Sequence, residues 1–147
     1  WLGKLAYWED DKIDRIIEDF WPGPLTLVLP ARRELPEFLK GPNQTIALRW
    51  SSSSVVQEMI KLGECPLIGT SANLSGMPSC SSSAEVVEQF GDQTPLLVDS
   101  GVLPENPPTT LLDCTQKPFS FIRSGSIDQK ILEDYIYRFE DDLGLIF

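Results

Sequence analysis

Trp21-Pro22-Gly23-Pro24 constrains the architecture of this chain more than any other stretch. Two prolines without an N–H donor, with a glycine between them, cannot continue a helical ladder. Just before the corner, Ile13, Ile16, Ile17 and Phe20 recur at three- and four-residue spacing, with charges on the other face. That pattern predicts an amphipathic helix from Asp10 to Phe20. Just after it, Leu25 to Leu29 is apolar except for Thr26 and predicts a strand. The chain must pass from helix to strand through a rigid corner that packs on the core.

A second stretch carries the polar chemistry. Pro66-Leu67-Ile68 reads as a short buried strand that empties into Gly69-Thr70-Ser71-Ala72-Asn73-Leu74-Ser75-Gly76. Thr70, Ser71 and Ser75 offer hydroxyls and Asn73 an amide, and the N–H groups between them can form an anion-binding nest. The glycines permit close backbone approach to a ligand or a turn at positive φ. Open α/β sheets place ligands where an apolar strand ends in such a loop. Composition alone also permits an ordinary Ser/Gly-rich turn.

Between and beyond these stretches, Thr45 to Trp50 predicts a strand with Arg49 near its end. Ser51 to Leu62 predicts a helix, with Ser54 and Gln57 as a capping box, Val55, Val56, Met59 and Ile60 as its apolar face, and Gly63 as its stop. Ala31 to Gln44 is a loop with one helical turn at Glu37-Phe38-Leu39. Ser82 with Glu85 caps a further helix that ends at Gly91, and Thr94 to Val98 predicts a short strand. Thr109 to Asp113 and Phe119 to Arg123 predict an antiparallel hairpin. After a turn at Ser124-Gly125-Ser126, a last helix runs from Ile127 to Phe139, with Ile131, Leu132, Tyr135, Ile136 and Phe139 on one face. Asp141 to Phe147 receives no assignment. Helices alternating with strands, then a hairpin, predict an α/β domain with a twisted mixed sheet.

The 147 residues are expected to form one domain with a sizeable core. No apolar run approaches the ~20 residues of a membrane helix. The net charge of −10 argues against a protein that coats nucleic acid, although Arg32, Arg33 and Lys40 cluster locally. Cys65, Cys80 and Cys114 are odd in number and far apart, which suits a reducing cytosol. With no histidine, a zinc site is not expected, and the commonest general base is missing. Trp1-Leu2-Gly3-Lys4 has neither a signal-peptide layout nor an initiator Met, so position 1 is expected to be processed or not the natural start.

Four segments in order resemble the YrdC/TsaC family of threonylcarbamoyl-adenylate synthases. Phe20-Trp21-Pro22-Gly23-Pro24-Leu25-Thr26 is similar to its F-W-P-G-P-L-T signature. Ile46-Ala47-Leu48-Arg49 is similar to its A-V-R strand. Thr70-Ser71-Ala72-Asn73 resembles its S-x-N loop. Pro108-Thr109-Thr110-Leu111-Leu112-Asp113 with Ile122-Arg123-Ser124-Gly125-Ser126-Ile127 resembles its closing P-S-T-I-V-D and L-R-P-G-A-I segments. The resemblance runs from about Asp11 to about Ile127 and implies an open, twisted mixed sheet with packed helices curved around a concave cleft. The whole chain, 1–147, would be one such domain, incomplete at its N-terminal side.

The resemblance implies a cytoplasmic enzyme of tRNA threonylcarbamoyladenosine modification. It would join L-threonine, bicarbonate and ATP, with Mg²⁺, into threonylcarbamoyl-adenylate and pyrophosphate. Partner enzymes would then transfer the threonylcarbamoyl group to tRNA, which this chain would meet indirectly or weakly. Arg49 would pair with the threonine carboxylate. Thr70, Ser71, Asn73 and Thr109 would contact nucleotide, and Arg123 would bind phosphate and offset charge as pyrophosphate leaves. Thr109 stands where the family more often has Ser, and Ser124 where it often has Pro. The family's opening strand, Thr-rich substrate loop and K-x-R motif have no counterpart here, because Lys4 has no Arg two places on. The resemblance therefore implies a fragment lacking the opening third of the fold, which needs a complementary N-terminal segment for activity. Three alternatives stay open: a non-catalytic RNA-binding module, a degenerate module of this fold, and a carbamoyl-adenylate-forming hydrogenase-maturation domain.

Overall fold

The structure, a computed structural model, describes residues 1–141, with side chains through Arg138. It consists of two compact units: residues 1–66 with 107 onward, and residues 67–106. In chain order the regular elements are α1 (Leu2–Leu5), α2 (Asp11–Phe20), β1 (Leu25–Pro30), β2 (Thr45–Leu48), α3 (Ser54–Gly63), α4 (Ser83–Phe90), β3 (Thr110–Asp113), β4 (Ser120–Arg123) and α5 (Gln129–Asp141). Of these, α4 belongs to the second unit, where a short 3-10 turn, Gly91–Gln93, follows it.

The helix-to-strand corner forms as its sequence requires. The Asp10 carboxylate accepts the Lys12 N–H at 3.0 Å and caps α2, and Asp11 and Asp14 sit favourably in the positive first turn. The Trp21 N–H closes the helix on the Ile17 carbonyl at 3.0 Å. Its indole N–H then donates to the Leu25 carbonyl at 2.7 Å, so the buried ring is satisfied and the corner is fixed to the start of β1.

The sheet order is β2-β1-β3-β4, with β1 and β3 parallel and both outer pairs antiparallel. The expected mixed sheet and closing hairpin are both present. Period-two alternation sends Leu25, Leu27 and Leu29 to one face, all fully buried. They share a core with Ile13 and Ile16 of α2, Leu112 of β3, and Leu132 and Ile136 of α5. The other face carries Thr26, Val28, Ala47 and Leu111, none of them buried.

Several boundaries differ from the sequence expectation for identifiable reasons. The last helix begins at Gln129 rather than Ile127, because the Ile127 N–H and carbonyl are both taken by the buried Thr110 hydroxyl, at 3.0 and 2.8 Å. Ile131 is exposed instead of sharing the Leu132 face, since one residue turns a helix by about 100°. The Phe139 side chain and residues 142–147 lie outside what is described. Tyr135 does reach the core edge: its hydroxyl lies against the Asp19 carboxylate and the Arg15 carbonyl, and its ring meets Phe20 edge-on at 5.1 Å. Burial, then the Asp19 contact, pushes its pKa up to about 12.

The cap of α3 is Ser53, whose hydroxyl accepts the Val56 N–H at 3.5 Å, and not Ser54. Gln57 donates to the Ser51 carbonyl at 2.8 Å, so it does not close a capping box. No α3 residue is buried, and Val55, Met59 and Leu62 are exposed. The stop is also displaced: Gly63 is the last helical residue and Glu64 takes the left-handed conformation at φ 47°. A side chain there is strained where glycine is not. Glu64→Gly is expected to stabilise the chain by about 0.5–1 kcal/mol in urea denaturation.

The two strands expected in the second unit are absent. Leu67-Ile68 and Thr94 to Val98 have no strand partner among the described residues, and an extended segment without a ladder leaves its backbone groups to water. Ile68 and Leu96 are 76% and 77% exposed. The apolar runs read from the sequence are real; what they lack is a neighbouring strand. The α4 cap does form, with the Ser82 hydroxyl accepting the Glu85 N–H at 3.3 Å. The Glu85 carboxylate reaches back to the Ser81 N–H at 2.7 Å, which holds its pKa below the usual carboxylate range. Gly91 ends α4 at φ 51°.

Candidate active site

Strand register lines up much of the predicted chemistry at one end of the sheet. Leu27 pairs with Leu48, Thr26 with Leu111, and Leu111 with Arg123. Carrying the β1–β2 register one residue further sets Arg49 beside Thr26. Thr26, Leu111 and Arg123 therefore form a row across the sheet, at the start of β1 and β3 and the end of β4, and Arg49 lies one residue past the end of β2, outside the strand in which it was expected. From Arg49 to Arg123 is three inter-strand spacings, roughly 14 Å between backbones.

Each guanidinium is braced by the loop beside it. Arg49 donates from Nε to the Gly23 carbonyl at 3.0 Å, while the Gly23 N–H donates to the Trp50 carbonyl at 2.8 Å. The proline-rich corner thus positions Arg49 as well as turning the chain. Arg123 donates from Nε and one amino group to the Thr109 carbonyl, at 3.2 and 3.0 Å, and from the same amino group to the Thr109 hydroxyl at 3.0 Å. That hydroxyl lies 2.9 Å from the hydroxyl of Thr26. Thr26 is a site residue the sequence reading did not single out, although it is the one polar side chain in the β1 run. The two adjacent threonines divide their roles: Thr110 is fully buried and holds Ile127, while Thr109 serves Arg123.

Thr70, Ser71 and Asn73 belong to the second unit. There the loop is tied to α4 by Gln89, which accepts the Leu74 N–H at 3.1 Å and donates to the Pro78 carbonyl at 3.2 Å. Asn73 spends its amide locally, donating to the Leu74 carbonyl at 3.0 Å and accepting from the Ser79 hydroxyl at 3.4 Å. Thr70 and Ser71 are exposed.

Other chemistry is less open than the sequence implied. In the Arg32, Arg33 and Lys40 cluster, Arg32 donates to the Gly3 and Ala6 carbonyls at 3.1 and 3.2 Å. Lys40 is paired with Glu37 at 2.8 Å. Burial, with Asp113 and Asp10 nearby, pushes the Cys114 thiol well above its usual range, so it is a core residue and not a nucleophile. A recess of about 640 Å³ between Trp1, Lys4, Gln57, Ile60, Lys61 and Glu64 contains none of the site residues. Among the described residues, no group of three Cys, Asp or Glu side chains gathers as a metal cage, and no helix is long and apolar enough to cross a membrane.

The Sua5/YciO/YrdC family model, described as telomere recombination, matches residues 2–125. The chain belongs to that family. A Sua5/YciO/YrdC relative, the threonylcarbamoyl-AMP synthase of Pyrococcus abyssi, is 33% identical over 135 residues, covering 92% of this chain and 40% of the relative. The synthase of Klebsiella pneumoniae is 46% identical over 77 residues, 52% of this chain and 40% of the relative. Among solved structures, P. abyssi Sua5 complexed with L-threonine matches with a TM-score of 0.83 at 32% identity, covering 90% of this chain and 39% of that one. Escherichia coli YciO matches with a TM-score of 0.77 at 26% identity, covering 87% of this chain and 62% of that one. The fold is thus the α/β fold of the Sua5/YciO/YrdC family. The chain spans about 40% of the length of these two curated relatives.

Proposed function

We propose that this chain is part of a threonylcarbamoyl-AMP synthase. The observation that carries the reading is the row across the sheet, with Arg49 and Arg123 flanking the Thr26 and Thr109 hydroxyls. Its relatives' names and the L-threonine held by the P. abyssi protein supply the substrate class.

The reaction asks for two anionic contacts. L-threonine, carboxylated on its amine by bicarbonate with loss of water, would attack the α-phosphorus of ATP through a carbamate oxygen. The bond from that phosphorus to the bridging oxygen would break, and pyrophosphate would leave with the charge. Arg49 would hold the threonine carboxylate through its planar fork. Arg123 would bind phosphate and stabilise the charge that develops on the leaving group. The Thr109 hydroxyl would contact the nucleotide. Mg²⁺ would arrive on the polyphosphate of the substrate, since the described residues do not assemble a cage for it.

The lack of strand partners for the 67–68 and 94–98 runs among the described residues, together with the length of the relatives, favours a site completed by a further N-terminal segment. The test is ATP-, bicarbonate- and L-threonine-dependent pyrophosphate release. This chain alone should give none above background. Adding, in cis or in trans, the segment that precedes the matched region in the P. abyssi synthase should restore it. Full activity from the chain alone would remove the need for a complement. A complemented, folded assembly that releases no pyrophosphate would end the synthase reading.

A further inference from the structure

Arginine can only donate hydrogen bonds, so the contact between the Arg123 amino group and the Thr109 Oγ1, at 3.0 Å, uses a lone pair of that hydroxyl. The 2.9 Å contact between the Thr109 and Thr26 hydroxyls needs one of their two protons. Whichever hydroxyl donates, the pair keeps one O–H proton that is not used within the pair. With Thr26 as donor that proton is on Thr109, whose oxygen lies 3.0 Å from one Arg123 amino group, and the second amino group of that guanidinium donates in none of these bonds. Thr26 is held on β1 by its register with Leu111, and neither it nor the Thr109 hydroxyl is free to rotate without breaking the bridge. The result is a fixed pairing of one hydroxyl donor with one cationic donor, which suits a phosphate or carboxylate oxygen.

We propose that Thr26 is a positioning residue of this site: by donating to the Thr109 hydroxyl it fixes Arg123 and leaves the Thr109 proton to face an anionic substrate. This rests on the reading of Arg123 as a phosphate contact. Thr26 acts through Thr109 and touches no reacting atom. Valine has nearly the same shape and the same preference for strands, so Thr26→Val removes the bridge while leaving β1 a good strand. Thr26→Ser keeps the bridge.

The experiment uses the full chain and four variants: Thr26→Val, Thr26→Ser, Thr109→Val and the Val/Val double. Without ligand, exchange of the Arg123 Nε–H with solvent is followed by NMR. Thr26→Val should accelerate it about fivefold, the scale of one hydroxyl hydrogen bond, and Thr26→Ser should leave it within twofold of the parent. In parallel, inorganic pyrophosphate is titrated calorimetrically into the complemented assembly of each variant. Thr26→Val should weaken binding about fivefold, and this loss should vanish in the Thr109→Val background. Thermal unfolding of each variant checks that the fold is kept.

Unchanged Arg123 exchange in Thr26→Val overturns the proposal. So does an affinity loss that persists at full size without the Thr109 hydroxyl, because Thr26 would then act by another route. If the complemented assembly of the parent chain binds no pyrophosphate, the phosphate reading of Arg123 fails, while the ligand-free exchange measurement still decides whether Thr26 positions it.

Discussion

Replacing Gly125 with alanine is expected to destabilise the first unit by about 3 kcal/mol and to disorder the contacts of Arg123 with it. A β-carbon built on Gly125 lands on the Pro108 carbonyl oxygen and within 2.5 Å of the Thr109 carbonyl carbon and the Thr110 nitrogen. All three are backbone atoms, so no side chain can swing aside. The same stretch is already fixed by Ser126, whose N–H donates to the Pro108 carbonyl at 2.8 Å and whose hydroxyl donates to that of Pro107 at 2.9 Å. Thr110 adds its own bond from the buried hydroxyl to the Ile127 carbonyl at 2.8 Å. The added methyl must therefore move either the start of β3 or the turn after β4, and Arg123 bridges the two. Urea denaturation should show the loss. Gly69→Ala is the control, because nothing lies within 4 Å of a β-carbon there and its φ is not positive. It should fall within about 0.5 kcal/mol of the parent. Equal stability of Gly125→Ala and the parent would mean that the loop does not sit against β3 as described.

The Gly125 contact also shows where sequence reasoning succeeds and where it stops. A turn at Ser124-Gly125-Ser126 is legible from composition, but the close approach of that turn to Pro108 depends on β3 and β4 pairing, which is a tertiary fact. The helix-to-strand corner is legible because its signals are local: a proline cannot extend a helix, and a short run that is apolar except for Thr26 marks β1. The Arg49 and Arg123 pairing with loop carbonyls was not legible, since it needs the register across four strands. Thr26 was visible as the polar exception in β1, yet its role follows only from Thr109 lying 2.9 Å away. The strands expected at Leu67-Ile68 and Thr94 to Val98 failed for the opposite reason. Their composition suits strands, but a strand exists only in a ladder, and the described residues supply no partner. In the same way α3 shows the expected amphipathic pattern and buries none of it.

Removing either guanidinium of the site should separate the two halves of the proposed chemistry. In the complemented assembly, Arg123→Ala is expected to lower ATP-dependent pyrophosphate release by about 100-fold and to weaken pyrophosphate binding, with L-threonine binding little changed. Arg49→Ala is expected to weaken L-threonine binding by a similar factor and to leave pyrophosphate binding near the parent value. The distinction follows from geometry. Three Arg123 bonds go to Thr109, from Nε and one amino group, which leaves the other amino group for a ligand. Arg49 spends only Nε on Gly23 and keeps both amino groups for a bidentate carboxylate. Lysine substitutions sharpen the test. A lysine at 123 keeps a charge but cannot brace Thr109 and meet phosphate at once, so Arg123→Lys should recover no more than about a tenth of the lost rate. At position 49 a point charge loses the fork, so Arg49→Lys should restore binding only in part. If either alanine variant weakens both ligands equally, the roles assigned to the two arginines are not separate.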